Sequence, residues 1–277
     1  MALSDGRWHF QHGPIDIVLQ ADGDPDAVRA AHRQAWQRFE TVLTELVAEL
    51  PILKTPVRSG PCPLQGRIAQ RMWTACRPWQ ADFITPMAAV AGAVAQELIG
   101  FYERDGIERA WINNGGDVAV HLTRGQSVRI GLYADLARLS ADEIIDGLHT
   151  DGSFAIGHDT PVRGVATSGW RGRSFSRGIA DSVTVLAASA AQADAAATII
   201  ANAVDADAPG IVRRPACEVR DDTDLGSLPI TVDVPQLDPV TVRDALAAGH
   251  RRAGELRADG HIHACALVCQ GQTALLA

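Results

Sequence analysis

Apolar and polar residues alternate through RWHFQ (7–11) and IDIVLQA (15–21), with His12-Gly13-Pro14 between them. Alternation places every second side chain on one face, so the chain is predicted to open with a β-hairpin. From 26 to 50 the period changes. Val28, Ala31, Ala35, Phe39, Val42, Leu46 and Leu50 recur at three- to four-residue steps, which predicts one long amphipathic helix. Pro51 and Pro56 end it, and the Pro/Gly-rich stretch 51–66 reads as an ordered loop. A second long helix is expected over 85–104, with Thr85 as its cap and Pro86 in its first position. Its first half, MAAVAGAVA, has unusually small side chains.

Three strand-like runs follow at 109–113, 118–122 and 128–133, read together as an antiparallel meander with Gly115-Gly116 in its first turn. A short helix is expected over 139–148. Ser189-Ala-Ala-Gln192 fits a capping box for a helix running to about 204. Strands at 211–219 and 230–234, a helix opened by Asp238-Pro239 and a closing hairpin over 261–276 complete the reading. Strands and helices do not alternate regularly, so the fold class is α+β, not a doubly wound sheet.

Composition narrows the function. Among 277 residues, 25 are Lys or Arg and 33 are Asp or Glu, a net charge of −8. Phosphate backbones attract basic faces, which argues against nucleic acid as the main partner. The longest apolar run, 87–95, has nine residues, against about 20 for a membrane span. MALSDGRWHF lacks a secretory pattern, and 5 irregularly spaced cysteines suit reduced thiols, so a cytoplasmic protein is expected.

Several clusters carry candidate chemistry. Asp194 and Thr198 lie at i and i+4 near a helix start, where a carboxylate and a hydroxyl on one face can hold Mg²⁺. The plainer alternative is a solvated Asp beside an incidental Thr. Asn113-Asn114-Gly115-Gly116-Asp117 suits either a hairpin turn or close backbone approach to a ligand. Thr167-Ser168-Gly169, followed by Arg171, Arg173 and Arg177, combines hydroxyls with guanidinium groups, as phosphate recognition does; a polar surface loop is the alternative. His158 lies near that loop in sequence and is a candidate base, with Ser174 a second catalytic candidate. His261, His263, Cys265 and Cys269 share a strand face, but the spacing is not that of a zinc site.

INNGGDV (112–118), GVATSG (164–169) and SVTVLAASAAQADAAAT (182–198) occur in an order and spacing that resembles the ApbE-like family, the FAD:protein FMN transferases. The likeness runs over about 85–204 and is greatest to a shorter, uncharacterised branch that shares PMAAVAGA and NNGGD. It implies one ApbE-like domain over 1–277 with two lobes and a ligand cleft between them. It implies Mg²⁺ held by Asp194, Thr198 and the backbone carbonyl of Ala91. FAD, as substrate or ligand, would meet Asn113, Asn114, Gly115, Gly116, Asp117, Thr167, Ser168 and Gly169.

The implied activity is FMN transfer to an acceptor flavoprotein, or cleavage of the FAD pyrophosphate by water. Gly92 stands where that family carries a lysine, and SFSRGIAD (174–181) replaces its histidine-bearing stretch. Two alternatives therefore stay open: a flavin or nucleotide binder without turnover, and an enzyme for another small anionic substrate. A homo-oligomer is compatible with either.

Overall fold

The computed structural model describes residue 3 and residues 6–132, 152–172 and 174–277. The helix expected over 139–148 and the end of the third strand-like run lie outside these residues, as does Arg173. The chain forms two compact units, one of Met1–Ser127, Gly157–Ala166 and Leu186–Ala195, the other of Val128–Ile156, Thr167–Val185 and Ala196–Ala277. Helices and antiparallel strand pairs make the fold α+β. Among the described residues no helix is long and apolar enough to cross a membrane.

In the first unit the expected hairpin forms from β1 (Trp8–His12) and β2 (Ile15–Gly23), with His12 opposite Ile15 across Gly13-Pro14. β2 pairs with β3 (Ile107–Asn114), and β3 with β4 (Asp117–Leu122). β4 then pairs through Val118 and Ala119 with Val165 and Gly164 of β7 (Gly164–Ser168). That pairing occupies the second edge of β4. The expected three-strand meander therefore does not form, and β5 (Ser127–Leu132) pairs in its own ribbon with β6 (Gly152–Gly157).

The long helix α1 spans Pro25–Ala48, and the Asp24 side chain accepts the Asp26 and Ala27 amides at its start. Its predicted apolar stripe is the buried one: Ala31, Ala35, Phe39, Val42 and Leu46 are all in the core. A short turn of helix, α2 (Leu50–Leu53), follows. Glu49 then accepts the Gln65 and Gly66 amides, both at 2.7 Å, which closes the 51–66 loop onto the N-terminus of α3 (Arg67–Cys76).

The predicted 85–104 helix is divided. A 3₁₀ turn covers Pro86–Ala89, and α4 proper runs Val90–Ile99. Thr85 makes no side-chain cap, and neither does Ala89, the residue before α4.

Two polar clusters lie within this unit. Burial disfavours a charge on Glu97, yet hydrogen bonds from Arg71 (2.8 Å) and Arg38 (3.0 Å) outweigh it and hold the carboxyl below its ordinary pKa. Arg71 is thus occupied internally, and Arg77 lies over the Trp73 ring. His32 Nδ1 lies 2.7 Å from the Tyr102 hydroxyl, both buried. Burial lowers the His32 pKa to about 4 and raises that of Tyr102, so a neutral imidazole meets a protonated phenol. Tyr102→Phe is expected to cost about 1–2 kcal/mol by removing that partner, read from urea denaturation midpoints.

In the second unit β11 (Ala264–Cys269) and β12 (Gln272–Leu276) form a hairpin whose two turn residues, Gln270 and Gly271, have φ of 44° and 77°. Left-handed backbone at both positions is what a tight two-residue turn demands. α7 (Pro239–Ala258) starts at the Asp238 cap and packs on both strands. β9 (Val212–Pro215) stops four residues short of the expected strand end. Pro215 cannot donate to a ladder, and Ala216–Val219 form a turn of helix, α6. β8 (Ser182–Ala187) and α5 (Ala190–Ala203) contribute residues to both units.

Candidate functional site

The site is built where a hairpin turn meets two helix starts, all within the first unit. Asn114 and Asp117 face each other across Gly115 and Gly116, whose φ values of 66° and 112° close the two-residue turn. The Asn113 side chain accepts the Gly116 amide at 2.8 Å and so belongs to the turn itself. Asn114 and Asp117 are 7% and 6% exposed, so the turn delivers two buried polar side chains rather than a solvated loop.

α5 begins at Ala190, with the Gln192 amide 3.4 Å from Ser189 Oγ, as the capping-box pattern predicts. Gln96 of α4 also reaches this end, accepting the Ala191 amide at 3.3 Å. Asp194, one turn in, points at the start of α4. Its Oδ2 accepts the Gly92 amide at 3.0 Å, and the Ala91 amide also donates to it. These are first-turn amides that a helix cannot satisfy by itself. Asp194 therefore caps α4 from another helix, which explains why α4 starts at Val90 with no local capping side chain.

A carboxylate at a helix N-terminus usually loses proton affinity. Here burial is the larger effect and pushes Asp194 from 3.8 up to about 7, against the Gly92 and Ala91 amides and a hydrogen bond with Asp117. The side chain is half-buried. Two carboxyl groups in hydrogen-bond contact must share a proton or a cation. Asp194 is thus not the solvated Asp of the plainer alternative. Thr198 lies one turn further along α5, half-buried.

The Ala91 carbonyl accepts from Asn114 Nδ2 at 3.1 Å, while the Gly92 N–H of the same peptide donates to Asp194.

His158 is not gathered here. Its Nδ1 lies 2.8 Å from the carbonyl of Leu122, at the end of β4 opposite Asp117, about 16 Å along the strand. Ser174 is exposed in the second unit. Thr167 shares a hydrogen bond of 2.9 Å with the buried Thr184, and Ser168 is half-buried at the end of β7. A Cβ on Gly169 would sit 2.3 Å from the Asp181 carbonyl, so that glycine is required by close backbone approach. Burial raises the Cys265 and Cys269 thiols to about 12, as suits core residues.

Sequence reasoning missed the capping role of Asp194 and the part of Gln96. The i, i+4 spacing of Gly92 and Gln96 was the available signal, since both face the first turn of α5. A Cβ at Gly92 would come within 2.3 Å of the Ala190 carbonyl oxygen. Backbone-to-backbone approach of two helix starts is therefore the reason for the glycine at 92.

The chain is similar to several archaeal proteins. A UPF0280 protein of Methanopyrus kandleri is 37% identical over 214 residues, covering 75% of this chain and 78% of its own. One from Methanosarcina acetivorans is 29% identical, covering 71% and 72%. With the Methanospirillum hungatei UPF0280 protein, 39% identical, the match spans about half of each chain, 46% and 48%.

Two solved structures resemble it at low identity. The Pseudomonas stutzeri flavinyl transferase ApbE, apo form, matches at 13% identity and TM-score 0.48 over 98% of this chain and 93% of its own. The Thermotoga maritima apbe protein matches at 12% and 0.43 over 97% and 96%. A family description, AbpE bacteria, fits residues 1–275, and the chain belongs to that family.

Proposed function

We propose that this protein is a Mg²⁺-dependent enzyme acting on FAD or a related phosphate-bearing ligand, by FMN transfer to an acceptor flavoprotein or by pyrophosphate cleavage. The observation that carries the reading is the Asp117–Asp194 pair, with Asp194 pushed up to about 7. Burying two carboxyl groups together is costly unless positive charge joins them.

The donor set fits a hard cation: two carboxylates, with the Thr198 hydroxyl one helical turn away. Asp117, Asp194 and Thr198 would hold the ion, and the Ala91 main chain would brace Asp194 by its amide. When bound, Mg²⁺ would neutralise charge on a nucleotide diphosphate. Asn114 fixes the Ala91 carbonyl and keeps the α4 start in place beneath the pair.

One observation favours a second reading, binding without turnover. The space a side chain at position 92 would need is filled by the Ala190 backbone, so no cationic group can stand there. Incubation with FAD and Mg²⁺, with and without candidate acceptor proteins, separates the readings. AMP release that disappears in Asp194→Asn is the expected result. FAD bound but intact selects the binder. No FAD binding, with another anion raising Tm, points to a different small anionic substrate and overturns the flavin proposal.

A further inference from the structure

β1 pairs with β2 on one side, and among the described residues no strand takes its other side. His12 stands opposite Ile15 across a two-residue turn, so the Phe10 and His12 amides point to β2 and the Gln11 amide points away. Nothing in WHFQH blunts this edge, which has no proline, no lysine and no bulge.

α1 lies along the same edge, and its contacts with β1 climb in step. The Trp8 and His32 rings are 4.8 Å apart, Phe10 lies 5.1 Å from Trp36 and 5.6 Å from Phe39, and a Cβ on Gly13 would meet Leu43 at 2.7 Å. From Trp8 to Gly13 the strand advances about 16 Å, and from His32 to Leu43 the helix does the same, so the two run side by side in one direction. One flank of α1 is bonded inward, through Arg38 to Glu97 of α4. The other carries Arg29, Arg33, Trp36, Glu40, Leu43 and Val47 at three- and four-residue steps. All but the half-buried Leu43 are exposed, Trp36 at 38% and Val47 at 54%.

We propose that this face pairs with the same face of a second copy of the chain. A two-fold axis through Phe10 sets β1 antiparallel to its counterpart, with the Gln11 amides entering the new ladder. The same axis meets α1 at the level of Trp36 and Phe39, near the middle of the helix. α1 packs on both β1 and β2, so the two helices would lie antiparallel about 10 Å apart, an ordinary packing distance.

Charge selects a second copy as the occupant. On the stripe, Arg29 and Arg33 precede Trp36 and Glu40 follows it. Antiparallel helices centred beside Trp36 set Arg33 of each copy against Glu40 of the other, so the face is complementary to itself. A parallel arrangement would set like charges together. The two Trp36 rings meet between these ion pairs, the central place where aromatic anchors contribute most. The inference holds whatever the candidate site binds.

The test uses the full chain. Sedimentation equilibrium should give twice the mass of one chain. Trp36→Ala should weaken the dimer Kd about thirtyfold or more, and Arg33→Glu about tenfold or more. The double variant Arg33→Glu/Glu40→Arg exchanges both partners and should return Kd to within about threefold of wild type. Hydrogen exchange at the Gln11 amide should slow severalfold as the wild type is concentrated through its Kd.

If Trp36→Ala does not fold, Arg33→Glu and the double variant decide. A wild type that sediments as a single chain, or a dimer indifferent to Arg33→Glu, overturns the proposal. So does a double variant no tighter than the single one, or Gln11 exchange that does not change with concentration.

Discussion

Asp194→Ala is expected to lose both stability and any Mg²⁺-dependent affinity for FAD, because one carboxyl group does two jobs. It caps the Ala91 and Gly92 amides at the start of α4, and it pairs with Asp117. Removing it leaves two donors and one carboxyl group without this partner together. About 3 kcal/mol of stability should go, more than an exposed cap is worth. Asp194→Asn keeps an accepting oxygen of the same shape and should cost about 1 kcal/mol. It should still abolish the Mg²⁺ dependence of FAD binding, measured by calorimetry. Affinity for Mg²⁺ and FAD unchanged in Asp194→Asn would remove the metal from the reading and leave only the cap.

The same variant has a pH signature. Asp194 has a raised pKa, so its contribution to stability is complete below 3.8 and is lost as pH rises through about 7. His32 has a lowered pKa, so its contribution is complete above 6.5 and is lost as pH falls through about 4. The two trends oppose each other over the same interval and partly cancel in the wild type. Asp194→Asn removes the first and leaves the second. It should therefore lose roughly 2 kcal/mol more than the wild type between pH 7 and pH 4, read from urea denaturation at each pH. Parallel curves for the two proteins would mean that Asp194 does not titrate in this range.

Gly92→Ala should be strongly destabilising. Its Cβ would meet the Ala190 carbonyl oxygen at 2.3 Å, the Ala190 carbonyl carbon at 2.6 Å and the Ala191 nitrogen at 2.9 Å. All three are backbone atoms, so no rotamer change relieves the clash, and the starts of α4 and α5 would have to separate. A cost on the order of 4 kcal/mol is expected, at the upper end of what overpacking costs, with Tm lowered by about 10 °C. Separation would also pull Asp194 from its amides. Gly100→Ala is the control: it has open space around it and φ of −57°, so it should be neutral or slightly stabilising. Equal melting temperatures for Gly92→Ala and wild type would refute the close approach.

Much of this was legible along the chain because it depends on local periodicity. The stripe on α1, the opening and closing hairpins, the Asp238-Pro239 helix start and the Gly115-Gly116 turn each follow from a few neighbouring residues. Asp194 was singled out by its spacing to Thr198 and by resemblance, but its surroundings were not legible. They are made by residues about a hundred positions away, Gly92 being 102 residues distant in sequence.

The linear order of residues thus determined the class of the fold and most of its elements, and it singled out Asp194 as a candidate. It could not decide which edge of β4 would be filled, so the meander it suggested gave way to the pairing with β7. It could not decide that a carboxylate on one helix would cap another, that the Ala91 carbonyl would accept from Asn114 while the Gly92 amide met that carboxylate, or that His158 would be tied to the far end of a strand. Those outcomes depend on burial and on the direction of hydrogen bonds between distant segments, and both exist only once the chain has packed.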